Sequence, residues 1–120
     1  MIFIVDDDES VRLSLVRLMR SVGFQAEGFA AAEDLLRKTP ECGCDCVIID
    51  VHMPGMTGLE LQQVLVRRKD PPPIVMITAH DAPETRRKAI AAGAVAFITK
   101  PFDDSTLLQA ISEATGSRSE

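Results

Sequence analysis

The sequence predicts one α/β domain in which parallel strands alternate with helices, and three observations carry that prediction. A length of 120 residues corresponds to a single domain able to bury roughly two-thirds of the unfolded chain's surface. Residues 2–5, 46–50, 74–77 and 96–99 are short apolar runs without polar alternation, as in strands covered on both faces of a parallel sheet. Between the strand-like runs lie segments of helical period, which makes five strand-helix pairs.

The first strand is Ile2-Phe3-Ile4-Val5. Val11, Leu15, Leu18 and Val22 then fall on one helical stripe, which predicts a helix over 9–22 closed by Gly23 at C′. The second strand, 25–29, is less apolar and therefore predicted at an edge; a short helix over 31–38 stops around Pro40. The third strand is Cys46–Asp50, followed by the turn-rich Met53-Pro54-Gly55-Met56-Thr57-Gly58 and a helix through Leu61, Val64 and Leu65 to about Arg68. Pro71-Pro72-Pro73 reads as a stiff internal loop, because Ile74-Val75-Met76-Ile77 follows it directly as a core strand. The fourth helix, 83–92, carries Arg86-Arg87-Lys88 and little bulky hydrophobe, so it is expected to pack weakly and to be a moving part. Gly93 ends it, the fifth strand follows, and Leu107, Leu108, Ile111 and Ala114 form the stripe of the last helix.

Composition excludes several classes. Eighteen acidic against thirteen basic residues, for a net charge of −5, disfavour direct nucleic-acid binding. No long apolar stretch or charged leader is seen between Met1 and the first strand, so a cytoplasmic protein without membrane attachment is expected. Cys42, Cys44 and Cys46 form a C-x-C-x-C run with no fourth ligand or histidine nearby in sequence, so they are read as structural rather than metal-binding.

Chemistry gathers at the strand ends. In open α/β sheets ligands sit outside the carboxyl ends of the strands, and the ends here carry Asp6-Asp7, Asp50, Thr78 and Lys100. Gathered carboxylates repel one another unless a cation balances them, and hard oxygens suit Mg²⁺. A carboxylate beside a metal can attack phosphorus, with Thr78 and Lys100 as donors to the phosphoryl oxygens. Each residue also has an ordinary reading: Asp6-Asp7-Asp8 as a helix cap, Asp50-Val51 as a strand end, Lys100-Pro101 as a turn. Their joint occurrence on successive strand ends has no common structural cause.

With these motifs the chain resembles the receiver domain of two-component response regulators, from Ile2 to about Ala114. Asp6-Asp7 match the family's acidic pair and the stretch from Asp50 to Gly58 its phosphorylation-site segment. Thr78-Ala79 match its hydroxyl-small pair and Lys100-Pro101-Phe102 its lysine-proline-phenylalanine motif. The resemblance implies a flavodoxin-like doubly wound (βα)5 fold with sheet order 2-1-3-4-5, a receiver domain over 1–115, and a polar tail or linker start over 116–120. It implies that Asp50 accepts a phosphoryl group from a sensor histidine kinase. Mg²⁺ would be held by Asp7, Asp50 and the His52 backbone carbonyl, with Asp6 acting mainly through water, and the Lys100–Pro101 bond would be cis. Thr78 and Phe97 would form the switch, and the fourth helix, fifth strand and fifth helix the output and dimerisation face, with Arg86, Arg87 or Lys88 recognising a partner. The Thr78-Ala79-His80 continuation and Gly93-Ala94-Val95 with Phe97 are similar to regulators of the nitrogen-fixation type, which act on transcription through a separate domain.

His52 and His80 are the chain's only histidines, two residues beyond Asp50 and Thr78 respectively, and read either as solvent-facing loop residues or as modulators of aspartyl-phosphate lifetime. Competing readings are a small haloacid-dehalogenase-like phosphatase, with Asp6 as nucleophile and Asp8 as acid/base, and a phosphorylation-independent docking module. A flavin binder of the same topology would want a Ser/Thr/Gly-rich loop where the acids stand.

Overall fold

Successive side chains of a strand leave on opposite faces, and here both faces are covered. The computed structural model describes residues 1–38 and 44–116. The elements are β1 (Ile2–Val5), α1 (Glu9–Ser21), β2 (Ala26–Phe29), α2 (Ala32–Lys38), β3 (Cys46–Asp50), α3 (Gly58–Val66), β4 (Ile74–Thr78), α4 (Pro83–Ala91), β5 (Ala96–Thr99) and α5 (Asp104–Thr115). The five strands form one parallel sheet of order β2-β1-β3-β4-β5, as expected.

Phe3, Val5, Val47, Ile49 and Met76 point to one face, where they meet Leu35 of α2, Leu61 and Leu65 of α3 and Ala89 of α4. Ile2, Ile4, Ile48, Val75 and Ile77 point to the other, against Leu15, Val16 and Met19 of α1 and Leu107 and Ile111 of α5. Burial on both sides is why these strands read as unbroken apolar runs. In register, Val5 pairs with Ile49, Asp50 with Ile77 and Thr78 with Thr99, so the residues that follow the strands emerge along one edge.

Local chemistry sets the helix ends. Asp8 caps α1 by accepting from the backbone N–H groups of Ser10 (2.9 Å) and Val11 (3.3 Å). Thr57 and Glu60 form a reciprocal capping box at the start of α3. Gly23 (φ 102°) and Gly93 (φ 109°) turn the chain out of α1 and α4 in the left-handed conformation that glycine adopts at least cost.

The structure shifts some expectations by a residue or more. α1 buries Leu15, Val16 and Met19, whereas Val22 is 46% exposed because the helix ends at Ser21 and leaves Val22 in the turn. β2 begins at Ala26 and α2 at Ala32; α3 closes at Val66 with Val64 exposed, and α4 at Ala91. Pro71–73 form the internal loop expected, and the Pro73 carbonyl accepts from the Val47 N–H at 3.0 Å. Cys46 lies in the β3 core, where burial pushes its thiol up to about 12, so it is inert at neutral pH. Pro40, Cys42 and the tail beyond Gly116 lie outside the described residues. Among the described residues no helix is long and apolar enough to cross a membrane.

Candidate functional site

The strand-end edge gathers the charged groups that the sequence singled out. Asp6, directly after β1, is fully buried, and Asp50, the last residue of β3, is nearly so. Asp7 is exposed at the rim. Each of these three acids offers a carboxylate oxygen within 4.8 Å of the others, and among the described residues they form the one group suited to hold a metal. Lys100, directly after β5, places its Nζ 3.1 Å from Asp6 Oδ2 and 3.4 Å from Asp50 Oδ2. Its peptide bond to Pro101 is cis.

Backbone donors fix the carboxylates. Asp6 Oδ1 accepts from the Asp8 N–H at 2.9 Å, and Asp50 Oδ1 from the His52 N–H at 3.2 Å. Of the three consecutive acids, Asp8 is thus committed to capping α1 while Asp6 and Asp7 face the site.

Electrostatics follow from burial and from like charge. Asp50 is pushed up to about 6, first by burial and then by the negative charge of Asp6, with Lys100 and the His52 N–H pulling the other way. For Lys100 burial works against the charge, yet the hydrogen bond to Asp6 and the charges of Asp50 and Asp6 prevail, and its pKa is raised. One ammonium holds two crowded carboxylates, so the site still carries excess negative charge. Its donors are hard oxygens, the set that Mg²⁺ takes.

Thr78 is fully buried and its hydroxyl is engaged locally. It donates to the His80 carbonyl and accepts from the His80 N–H, both at 3.1 Å. Phe97 lies buried on β5, its ring 4.8 Å from the Arg86 guanidinium carbon. His52 and His80 are exposed and meet edge to face, ring centroids 5.7 Å apart, so the β3–α3 and β4–α4 loops touch across the rim. A groove of about 550 Å³ opens alongside, between Val11, Ser14 and Leu18 of α1 and Lys100-Pro101-Phe102.

Three supporting residues were not foreseen. Gly58 is required because a Cβ there would lie 2.4 Å from the Asp50 carbonyl oxygen, which lets the start of α3 press against the end of β3. Arg12 donates to the Asp6 carbonyl at 2.8 Å. Glu33 of α2 accepts from the Met56 N–H at 3.3 Å, tying α2 to the loop after Asp50. Gly58 stood in the recognised loop segment, but Arg12 and Glu33 act through contacts with backbone, which leave no pattern in the residues contacted.

The model of the response regulator receiver domain family matches residues 2–112. Nodulation protein W of Bradyrhizobium diazoefficiens is 44% identical over 115 residues, covering 95% of this chain and 50% of that protein. The transcriptional regulatory protein FixJ of the same organism is 37% identical over 113 residues, covering 94% of this chain and 55% of that one. The chain spans about half the length of these curated relatives. Among solved structures, response regulator StyR superposes with a TM-score of 0.85 at 44% identity over 96% of this chain and 58% of its own. A receiver domain protein from Methanospirillum hungatei does so with 0.89 at 29% identity, covering 96% and 92%.

Proposed function

Because the chain belongs to the response regulator receiver domain family of two-component signalling, we propose that it is a phosphorylation-controlled switch with Asp50 as phosphoacceptor. The observation that carries this reading is the convergence of Asp6, Asp7, Asp50 and Lys100 on one edge, with Asp50 nearly buried and only partly neutralised. Asp7, Asp50 and the His52 backbone carbonyl would hold Mg²⁺, with Asp6 assisting through water. When bound, the ion neutralises the incoming phosphoryl oxygens and the carboxylates facing them.

An Asp50 carboxylate oxygen attacks the phosphorus of a kinase phosphohistidine. The new P–O bond forms as the P–N bond breaks, and the departing imidazole takes up a proton. Lys100 and the Thr78 hydroxyl donate to the phosphoryl oxygens; hydrolysis later returns free carboxylate and phosphate. To reach the phosphoryl group, the Thr78 hydroxyl leaves its turn with His80 and makes room for Phe97. His52 and His80 meet across the rim beside Asp50, so their replacement by alanine should change the rate of aspartyl-phosphate loss.

The receiver unit is assigned to residues 1–115, with 116–120 as tail or linker. Its partners are a sensor histidine kinase and, when phosphorylated, a second copy of itself; the acidic charge argues against direct contact with nucleic acid. Transcription would be regulated through a separate output domain, since FixJ is a transcriptional regulatory protein of which this chain matches 55%. The phosphatase alternative is disfavoured because Asp6 is fully buried on Lys100 and Asp8 caps α1. Tandem mass spectrometry after treatment with acetyl phosphate and Mg²⁺ tests the reading. Modification is expected at Asp50 and abolished in Asp50→Asn; modification at Asp6 would establish the phosphatase instead.

A further inference from the structure

α4 is fastened to the domain by unlike contacts at its two ends. Ala82 gives its N-terminus no side-chain cap, and the nearby bonds come from Arg86, to Asp81 at 3.3 Å and to the Phe97 carbonyl at 3.4 Å. The side chains of Arg86 and Asp81 are 44% and 46% exposed, so that pair is screened and easily broken. At the other end Ala89 is the one buried residue of the helix. Its carbonyl accepts from the Ala94 N–H at 3.0 Å and from Gln62 Nε2 of α3 at 2.9 Å.

Gln62 is fully buried. Its amide has only one workable orientation, since the Ala89 carbonyl can only accept and must face Nε2. Oε1 is then left without a protein partner among the described residues. An apolar side chain of similar size would fill this space without stranding an oxygen, so packing does not require the amide; the bond to Ala89 does. Gly58 seats the start of the same helix on the Asp50 backbone, so Gln62 belongs to an element registered to the phosphoacceptor strand.

We propose that Gln62 is a positioning residue of the switch, pinning the C-terminal end of α4 so that motion driven from the Thr78 loop swings the N-terminal turns about a fixed end. The inference rests on the receiver reading for what drives the motion, but the pin is a property of the unphosphorylated chain.

Amide hydrogen exchange on that chain tests it, first with no phosphodonor present. In the wild type, Ala92, Gly93 and Ala94 should exchange more slowly than Arg86, Arg87 and Lys88. Gln62→Leu and Gln62→Met should each accelerate Ala92–94 about five- to tenfold, the factor one net hydrogen bond is worth. Val75 and Met76 of β4 should be unchanged, whereas a general weakening of the fold would accelerate them as well. Unchanged exchange at Ala92–94 in either folded variant, or no gradient along wild-type α4, overturns the assignment. With Mg²⁺ and beryllofluoride, wild-type protection should fall in the N-terminal turns alone, and equal loss at both ends also overturns it. No response anywhere to beryllofluoride would count against the receiver reading, leaving the first comparison to decide on Gln62.

Discussion

At Asp50 a buried charge is maintained against its surroundings, and the sign of that conflict can be read in stability. A carboxyl with an ordinary pKa of about 3.9 unfolded and about 6 folded contributes stability below the lower value and loses it as pH rises through the upper. Metal-free Asp50→Asn should therefore be more stable than wild type at pH near 7.5, by about 1–3 kcal/mol, with the advantage vanishing towards pH 4. Urea denaturation in chelator at several pH values measures this; a constant difference would reject it. Gly58→Ala should cost about 1–3 kcal/mol by overpacking against the Asp50 carbonyl, and should slow phosphorylation by acetyl phosphate. Equal stability and rate would show that α3 can move aside. The acidic residues and Lys100 were legible because strand ends in a parallel sheet must converge. Nothing in Asp6-Asp7-Asp8 says which acid turns away to cap the helix, because that depends on the angle at which the chain leaves β1.

Among the elements, α4 was legible as the weak one, since a helix with Arg86, Arg87 and Lys88 and few large apolar residues has little to bury, and only Ala89 is buried. How it is held was not, since its fastenings are a glutamine that periodicity treats as polar surface and an arginine lying over Phe97. Arg86→Ala should cost under about 1 kcal/mol in global stability, as exposed charge pairs do, yet should increase exchange of the Phe97-bearing strand and of the Asp81 loop. A destabilisation of several kcal/mol would mean that the arginine holds the core. In α1 the stripe was misphased at Val22 because the helix ends at Ser21, and ends are set by capping and by Gly23 rather than by periodicity.

For the molecule as a whole, the five strand-helix pairs followed from the sequence pattern, whereas the order β2-β1-β3-β4-β5 came from the family resemblance. Apolar runs buried on both faces do not say which neighbours they pair with. Ile90 and Val95 are 47% and 52% exposed near the α4–β5 connection, where the readout face is proposed. Sedimentation should show a monomer without phosphoryl mimic and a shift to dimer with Mg²⁺ and beryllofluoride, lost in Ile90→Glu. An unchanged monomer would remove dimerisation from the mechanism. The turn at Thr78 adds a constraint that acts on the whole domain. The His80 backbone holds the hydroxyl through two neutral bonds, so on the proposed reading it would act as a tethered competitor of an anion bound at Asp50. An anion competes only for the bond that the hydroxyl donates, and a charge-assisted bond is about twice as strong as that neutral one, so the exchange would favour the anion while it is present. Displacement then needs a resident anion, and the competitor, being covalently attached, would rebind without diffusion once that anion departs.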